Sequence, residues 1–93
     1  MPIDTLTRVR WSAEHLSADV DGDVMLMSIA RGRYVGLDDI GSDIWRRLQE
    51  PQMVGSLCAS LAQDYDADPE IIEREVIELL GKLQEHGLIE VER

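Results

Sequence analysis

Between Leu16 and Leu37 apolar and polar residues alternate, and beyond Leu37 the apolar positions recur every three or four residues. This change of period divides the chain into a strand half followed by a helix half. In the first half Asp21-Gly22 is a type I′ turn signal between strands over 16–20 and 24–29. Arg31-Gly32 marks a second turn, ahead of a third strand over 33–37. Alternation sets Val24, Leu26 and Ser28 on one face of the middle strand and Met25, Met27 and Ile29 on the other. Both faces are largely apolar, so the strand is either covered twice or covered once with the other face awaiting a partner.

In the second half, Asp38 or Asp39 caps a first helix whose apolar positions Ile40, Ile44, Trp45 and Leu48 form one stripe. Pro51 follows its end, where a helix does not readily continue. A second helix carries Val54, Leu57, Cys58, Leu61, Ala62 and Tyr65. Asp68 is the N-cap and Pro69 the first position of a third helix over 69–86, closed by a left-handed Gly87. Residues 88–91 either add a short strand or pack down. Residues 1–12 show no sustained period; Val9 and Trp11 form a short strand or lie loosely against the core. No long linker, repeat or low-complexity segment interrupts the chain. The expected architecture is one α+β domain over 1–93, a three-stranded antiparallel sheet followed by three helices, with 1–14 only loosely assigned.

Composition narrows the partners. Nine basic residues against nineteen acidic ones give a net charge of −10, which repels phosphates and argues against nucleic acid. No apolar run approaches the ~20 residues that span a bilayer, so no membrane partner is expected. The opening Met1-Pro2-Ile3-Asp4 lacks the basic-then-apolar organisation of a secretory signal. The single cysteine excludes an intrachain disulfide and suits a reducing cytoplasm.

Candidate chemistry is sparse. Asp19-Val20-Asp21-Gly22-Asp23 has its glycine at the fourth position, where a calcium loop of the EF-hand type needs it at the sixth. His15 and His86 have no Cys or second His at ligand spacing. Cys58 reads as a small buried hydrophobe, and Trp45 and Tyr65 as core anchors. No active site, cofactor or metal is expected, and the chain reads as a non-catalytic binding protein.

The run Arg31-Gly32-Arg33-Tyr34-Val35-Gly36-Leu37-Asp38, then Gly41 and Ile44-Trp45, resembles the core of PqqD-like proteins. So does the distal pattern Leu57, Leu61, Tyr65, Asp68-Pro69, Glu73, Val76, Leu79-Leu80, Leu83 and Gly87-Leu88-Ile89. The resemblance implies a winged-helix-like fold that binds the leader of a ribosomally made, later modified precursor peptide. It implies a leader lying antiparallel to the third strand, with the third helix as the opposite wall. The Tyr-x-x-Leu strand and Ile-Trp helix look more like the stand-alone lasso-peptide type than the pyrroloquinoline-quinone type. The partners implied are the leader and a peptidase, cyclase or other modifying enzyme.

The residues suit that role. An edge strand over Arg33, Tyr34, Val35, Gly36 and Leu37 offers unpaired main-chain groups to a guest. On the third helix, Ile72, Val76, Leu79 and Leu83 form the expected core stripe, while Ile77 lies outside it. Ile77 is therefore the expected guest contact, with Leu80 beneath it, Gly81 beside it, and Glu73 and Arg74 as the polar rim. A proline at Val35 removes a docking donor if its N–H faces the groove. Three alternatives stay open: a chaperone for another modified peptide, a winged-helix DNA-binding domain, and a protein adaptor. The glutamates of the third helix oppose the DNA reading.

Overall fold

The computed structural model describes residues 3–92; Met1, Pro2 and Arg93, and with them the start of the N-terminal sequence read above, lie outside the described residues. The elements are β1 (Arg8–Trp11), β2 (His15–Val20), β3 (Asp23–Ser28), β4 (Arg33–Gly36), α1 (Asp39–Arg47), β5 (Gln52–Met53), α2 (Val54–Tyr65), α3 (Pro69–Glu85) and β6 (Ile89–Glu92). This is a mixed α+β fold in which antiparallel strands accompany three helices.

The hairpin turns follow local chemistry. Asp21 and Gly22 take φ of 54° and 90°, the two positive values a type I′ turn requires, and Val20 faces Asp23 across it. Gly32, at φ 62°, closes the turn into β4, its N–H donating to the Ser28 carbonyl at 2.8 Å. The resulting sheet has the order β2-β3-β4. Val24, Leu26, Ser28 and Val35 are buried on the face toward the helices. Leu16, Val20, Met25 and Tyr34 are exposed, and no helix covers the face that Met25 and Tyr34 share.

The N-terminal segment forms the short strand that Val9 and Trp11 allowed, and its pairing corrects the expectation of a single sheet. β1 is the central strand of a second sheet, β5-β1-β6, with Val9 opposite Gln52 on one side and Val91 on the other. Its four-residue alternation is too short to carry a period, and its partners lie some forty to eighty positions away. The closing segment is therefore a strand, and the described residues form two three-stranded sheets where one was expected. The preceding loop also has a task. α2 starts without a side-chain cap, and its first N–H groups are satisfied by the N-terminal backbone: Val54 donates to Thr7 O and Gly55 to Thr5 O, each at 2.9 Å. A Cβ at Gly55 would stand 3.1 Å from Thr5 O, so that approach needs the glycine.

α1 is capped by Asp38, whose Oδ1 accepts from the Gly41 N–H at 2.7 Å. Asp68 caps α3 in the same way, with Pro69 in its first turn and Gly87 at φ 73° just beyond its end. Ser42, wholly buried on α1, accepts from the Val24 N–H at 2.8 Å and so ties that helix to β3. The core between sheets and helices contains Leu26, Trp45, Leu48, Leu57, Leu61, Val76, Leu80, Leu83 and Leu88.

The sheets meet at an aromatic joint. The rings of Trp11 and Trp45 stack 4.9 Å apart at 14°, and Trp11 Nε1 donates to the Trp45 carbonyl at 2.8 Å. His15 stands edge-on to both rings. Tyr65, expected as a core anchor, is instead largely exposed, and its hydroxyl donates to Asp43 Oδ2 at 2.6 Å. Asp43 and Asp64 both accept from Arg47, linking α1 to α2. Among the described residues no helix is long and apolar enough to cross a membrane.

Candidate functional site: an open strand edge beside a helix

β4 is bonded to β3 on one side, and among the described residues nothing is paired to its other side. The bonding parity follows from one contact: Leu37 N–H donates to the Val24 carbonyl at 2.9 Å. In an antiparallel ladder such residues alternate, so Val35 and Arg33 also direct their main-chain groups at β3. Tyr34 and Gly36 then turn their N–H and C=O groups to the open side. Val35 thus belongs to the inner ladder, and a proline there would strike the sheet itself.

The opposite wall is α3. Its C-terminal end is pinned to the turn between β3 and β4, where the Arg31 guanidinium donates to the Glu85 carbonyl. Gly87 lies against the same turn; a Cβ there would be 3.4 Å from Arg31 Nε and 3.7 Å from Ser28 Oγ. Running backwards from this pin, α3 passes β4 in the opposite direction. A groove of about 250 Å³ lies where the end of β4 and the start of α1 face α3, with Gly36, Leu37, Asp38, Ile40, Gly41 and Ile44 on one side and Glu75, Leu79 and Lys82 on the other. Ile40, assigned to the buried stripe of the first helix, is 41% exposed here and lines the groove. A Cβ on Gly41 would press on Leu37 Cβ at 3.3 Å and on the Asp38 cap at 3.1 Å, so the glycine keeps this corner open.

The expected site residues separate into two groups. Gly36 and Leu37 line the groove, Tyr34 is 70% exposed on the strand edge, and Arg33 is exposed at the strand's start. Val35 is buried. On α3 the expected rotation is displaced. Leu80 is 0% exposed in the core, whereas Leu79 is the leucine that reaches the groove. Glu73, Arg74 and Ile77, with Glu70 and Glu78, line a separate shallow depression confined to α3. Burial, with the charge of Glu73 adding to it, raises the Cys58 thiol above its ordinary pKa. Gly81 is half-buried, with open space where a Cβ would stand. The helix residues missed were Glu75, Leu79 and Lys82. Their signal is the spacing of three and four that puts them on one flank of the core stripe.

The Cys58 thiol is held protonated by burial, which suits packing and disfavours a thiolate nucleophile. Among the described residues no group of three His, Cys, Asp or Glu side chains could hold a metal ion.

The described residues thus set one unpaired strand edge beside a groove walled by α1 and α3. Residues 23–89 match the family described as coenzyme PQQ synthesis protein D (PqqD), and the chain belongs to that family. The solved structure of TbiB1 in complex with the TbiA(beta) leader peptide is 31% identical, at a TM-score of 0.79, over 87% of this chain and 94% of that one. Lasso peptide synthetase B1 complexed with its leader peptide is 24% identical at a TM-score of 0.76, covering 88% of this chain and 96% of that one. The PqqD truncation of Methylobacterium extorquens PqqCD, a stand-alone recognition element for ribosomally made and modified peptides, is 24% identical at a TM-score of 0.73. It covers 89% of this chain and 88% of that one, and at 24% both of these likenesses concern the fold. No curated protein sequence matches the chain.

Proposed function

We propose that this protein captures the leader of a ribosomally made precursor peptide and delivers it, without catalysis of its own, to a peptidase and a cyclase or other tailoring enzyme of lasso-peptide biosynthesis. The guest adds as a strand along β4, receiving main-chain bonds from Tyr34 and Gly36, and lays side chains into the groove against Leu79. The observation that carries this reading is the open edge of β4 set beside that groove. The leader complex of the 31%-identical TbiB1 supports it. The hairpin and three helices are then a winged-helix-like scaffold that spends its wing on a peptide, and the setting is the cytoplasm. Positioning does the work: holding the leader raises the local concentration of the attached core peptide at an enzyme that binds the core weakly.

Isothermal titration with the leader encoded beside this protein tests the reading. Saturable one-to-one heat, lost on N-methylation of guest residues paired with Tyr34 and Gly36, is the expected outcome. A leader that produces no heat and no shift of backbone resonances in β4 overturns it.

A further inference from the structure

Glu75 and Lys82 sit on one flank of α3, seven positions apart with Leu79 between them, and all three line the groove; with Glu78 they also line a shallow depression on the helix itself. Among the described residues neither charge has an ion-pair partner, unlike Arg10, Arg46 and Arg47, each of which holds a carboxylate. Seven residues of helix rise about 10.5 Å, too far for the two to neutralise each other. They are two opposite charges bracketing an apolar contact. Because the end of α3 is pinned at the Arg31 turn, Lys82 lies nearer the start of β4 and Glu75 nearer Leu37 and Asp38. An extended guest places residues i, i+2 and i+4 on one face over about 13 Å, close to the span from Glu75 to Lys82.

We propose that the groove reads the order of charges in its guest: a basic residue beside Glu75, an apolar residue over Leu79 and an acidic residue beside Lys82. This rests on the capture reading, in which the guest runs antiparallel to β4 and hence alongside α3 in the same direction. The guest then carries the pattern basic-x-apolar-x-acidic from its N-terminal side. Asp38, also in the groove wall near Glu75, strengthens the preference for a cation at that end. The pattern fixes direction as well as register, which main-chain bonding and one apolar contact leave weakly specified.

The test uses the full chain and two fluorescein-labelled fifteen-residue peptides that are identical except for a central Lys-Ser-Leu-Ser-Glu or Glu-Ser-Leu-Ser-Lys. By anisotropy the wild type prefers the first by about tenfold at low salt, the gain of two exposed pairs over two repulsions. The E75K/K82E double variant reverses the preference, and both preferences shrink as salt is raised. Both substitutions are at exposed positions, and matching thermal unfolding of the variant shows that the fold is kept. Equal binding of the two peptides by wild type and variant, or a wild-type preference for the second peptide, overturns the charge-order proposal while leaving strand capture standing. Failure of both peptides and of the neighbouring leader to bind overturns capture, and the proposal with it.

Discussion

Asp23 and Asp43 show how two aspartates of one small domain respond oppositely to acid. The Asp23 pKa is raised above its ordinary value, first by sharing a proton with the neighbouring Asp39 carboxyl, then by desolvation and by the charges of Asp39 and Asp38. A carboxyl with a raised folded pKa favours the fold when protonated, and that contribution is lost as pH climbs through its titration. D23N therefore raises the urea midpoint at pH 7, and the gain disappears near pH 3. Asp43 is lowered, chiefly by its hydrogen bonds from Arg47 and also by the Tyr65 hydroxyl, and the Arg47 guanidinium is correspondingly raised. Its contribution is present above the unfolded carboxylate value of about 3.9 and fades as pH falls through the lowered one. D43N lowers the midpoint at pH 7, and the difference from wild type shrinks as pH falls below the unfolded carboxylate value of about 3.9. Midpoints that move together in the two variants would show that neither local environment sets the titration.

Among the elements, β4 and α3 bear the functional claims. Y34P removes an N–H from the open side of β4, where an edge strand tolerates proline. It weakens leader binding with little change in melting temperature. V35P removes an N–H bonded toward β3 and distorts the ladder, so it lowers stability first. The same contrast applies on α3. L79D abolishes capture while I77D leaves it intact, and L80A costs about 2–5 kcal/mol of stability as a buried leucine should. Calorimetry on Y34P, L79D and I77D, with chemical denaturation of V35P and L80A, checks the set. These contrasts also show what the residue pattern could reveal. Turn chemistry at Asp21-Gly22, the caps at Asp68 and Gly87, and the period of α3 are local and can be read directly. The period sets Leu79 in the core stripe and Leu80 at its edge, yet Leu80 is the one buried, and which of them turns to the groove depends on how the helix is rotated against distant partners. That rotation is a property of packing: Leu79 lines the groove and Ile77 a separate depression, while among the described residues β4 keeps one side unpaired.

For the whole molecule, the two sheets are unequal in legibility for the same reason. The β2-β3-β4 meander is built from turns between adjacent segments, whereas β5-β1-β6 brings together three short pieces from the start, middle and end of the chain. Val9 is fully buried between its neighbours, and Thr5 and Thr7 supply acceptors to α2. Deleting residues 1–12 therefore removes a central strand, a core residue and the start of α2's capping. We expect the truncated protein to lose its cooperative melting transition, as followed by circular dichroism; a sharp transition within a few degrees of the full chain would show the second sheet to be dispensable.

Trp11 and Trp45 are the two tryptophans of the chain, and both lie in the stack that joins β1 to α1. All indole emission thus originates from a single joint, about 5 Å across its ring centres. An optical signal from this protein is therefore local to the seam between the sheets. Stopped-flow fluorescence during leader capture will register whether the scaffold flexes at that seam, while a silent trace alongside full binding would mark a guest received by a rigid host.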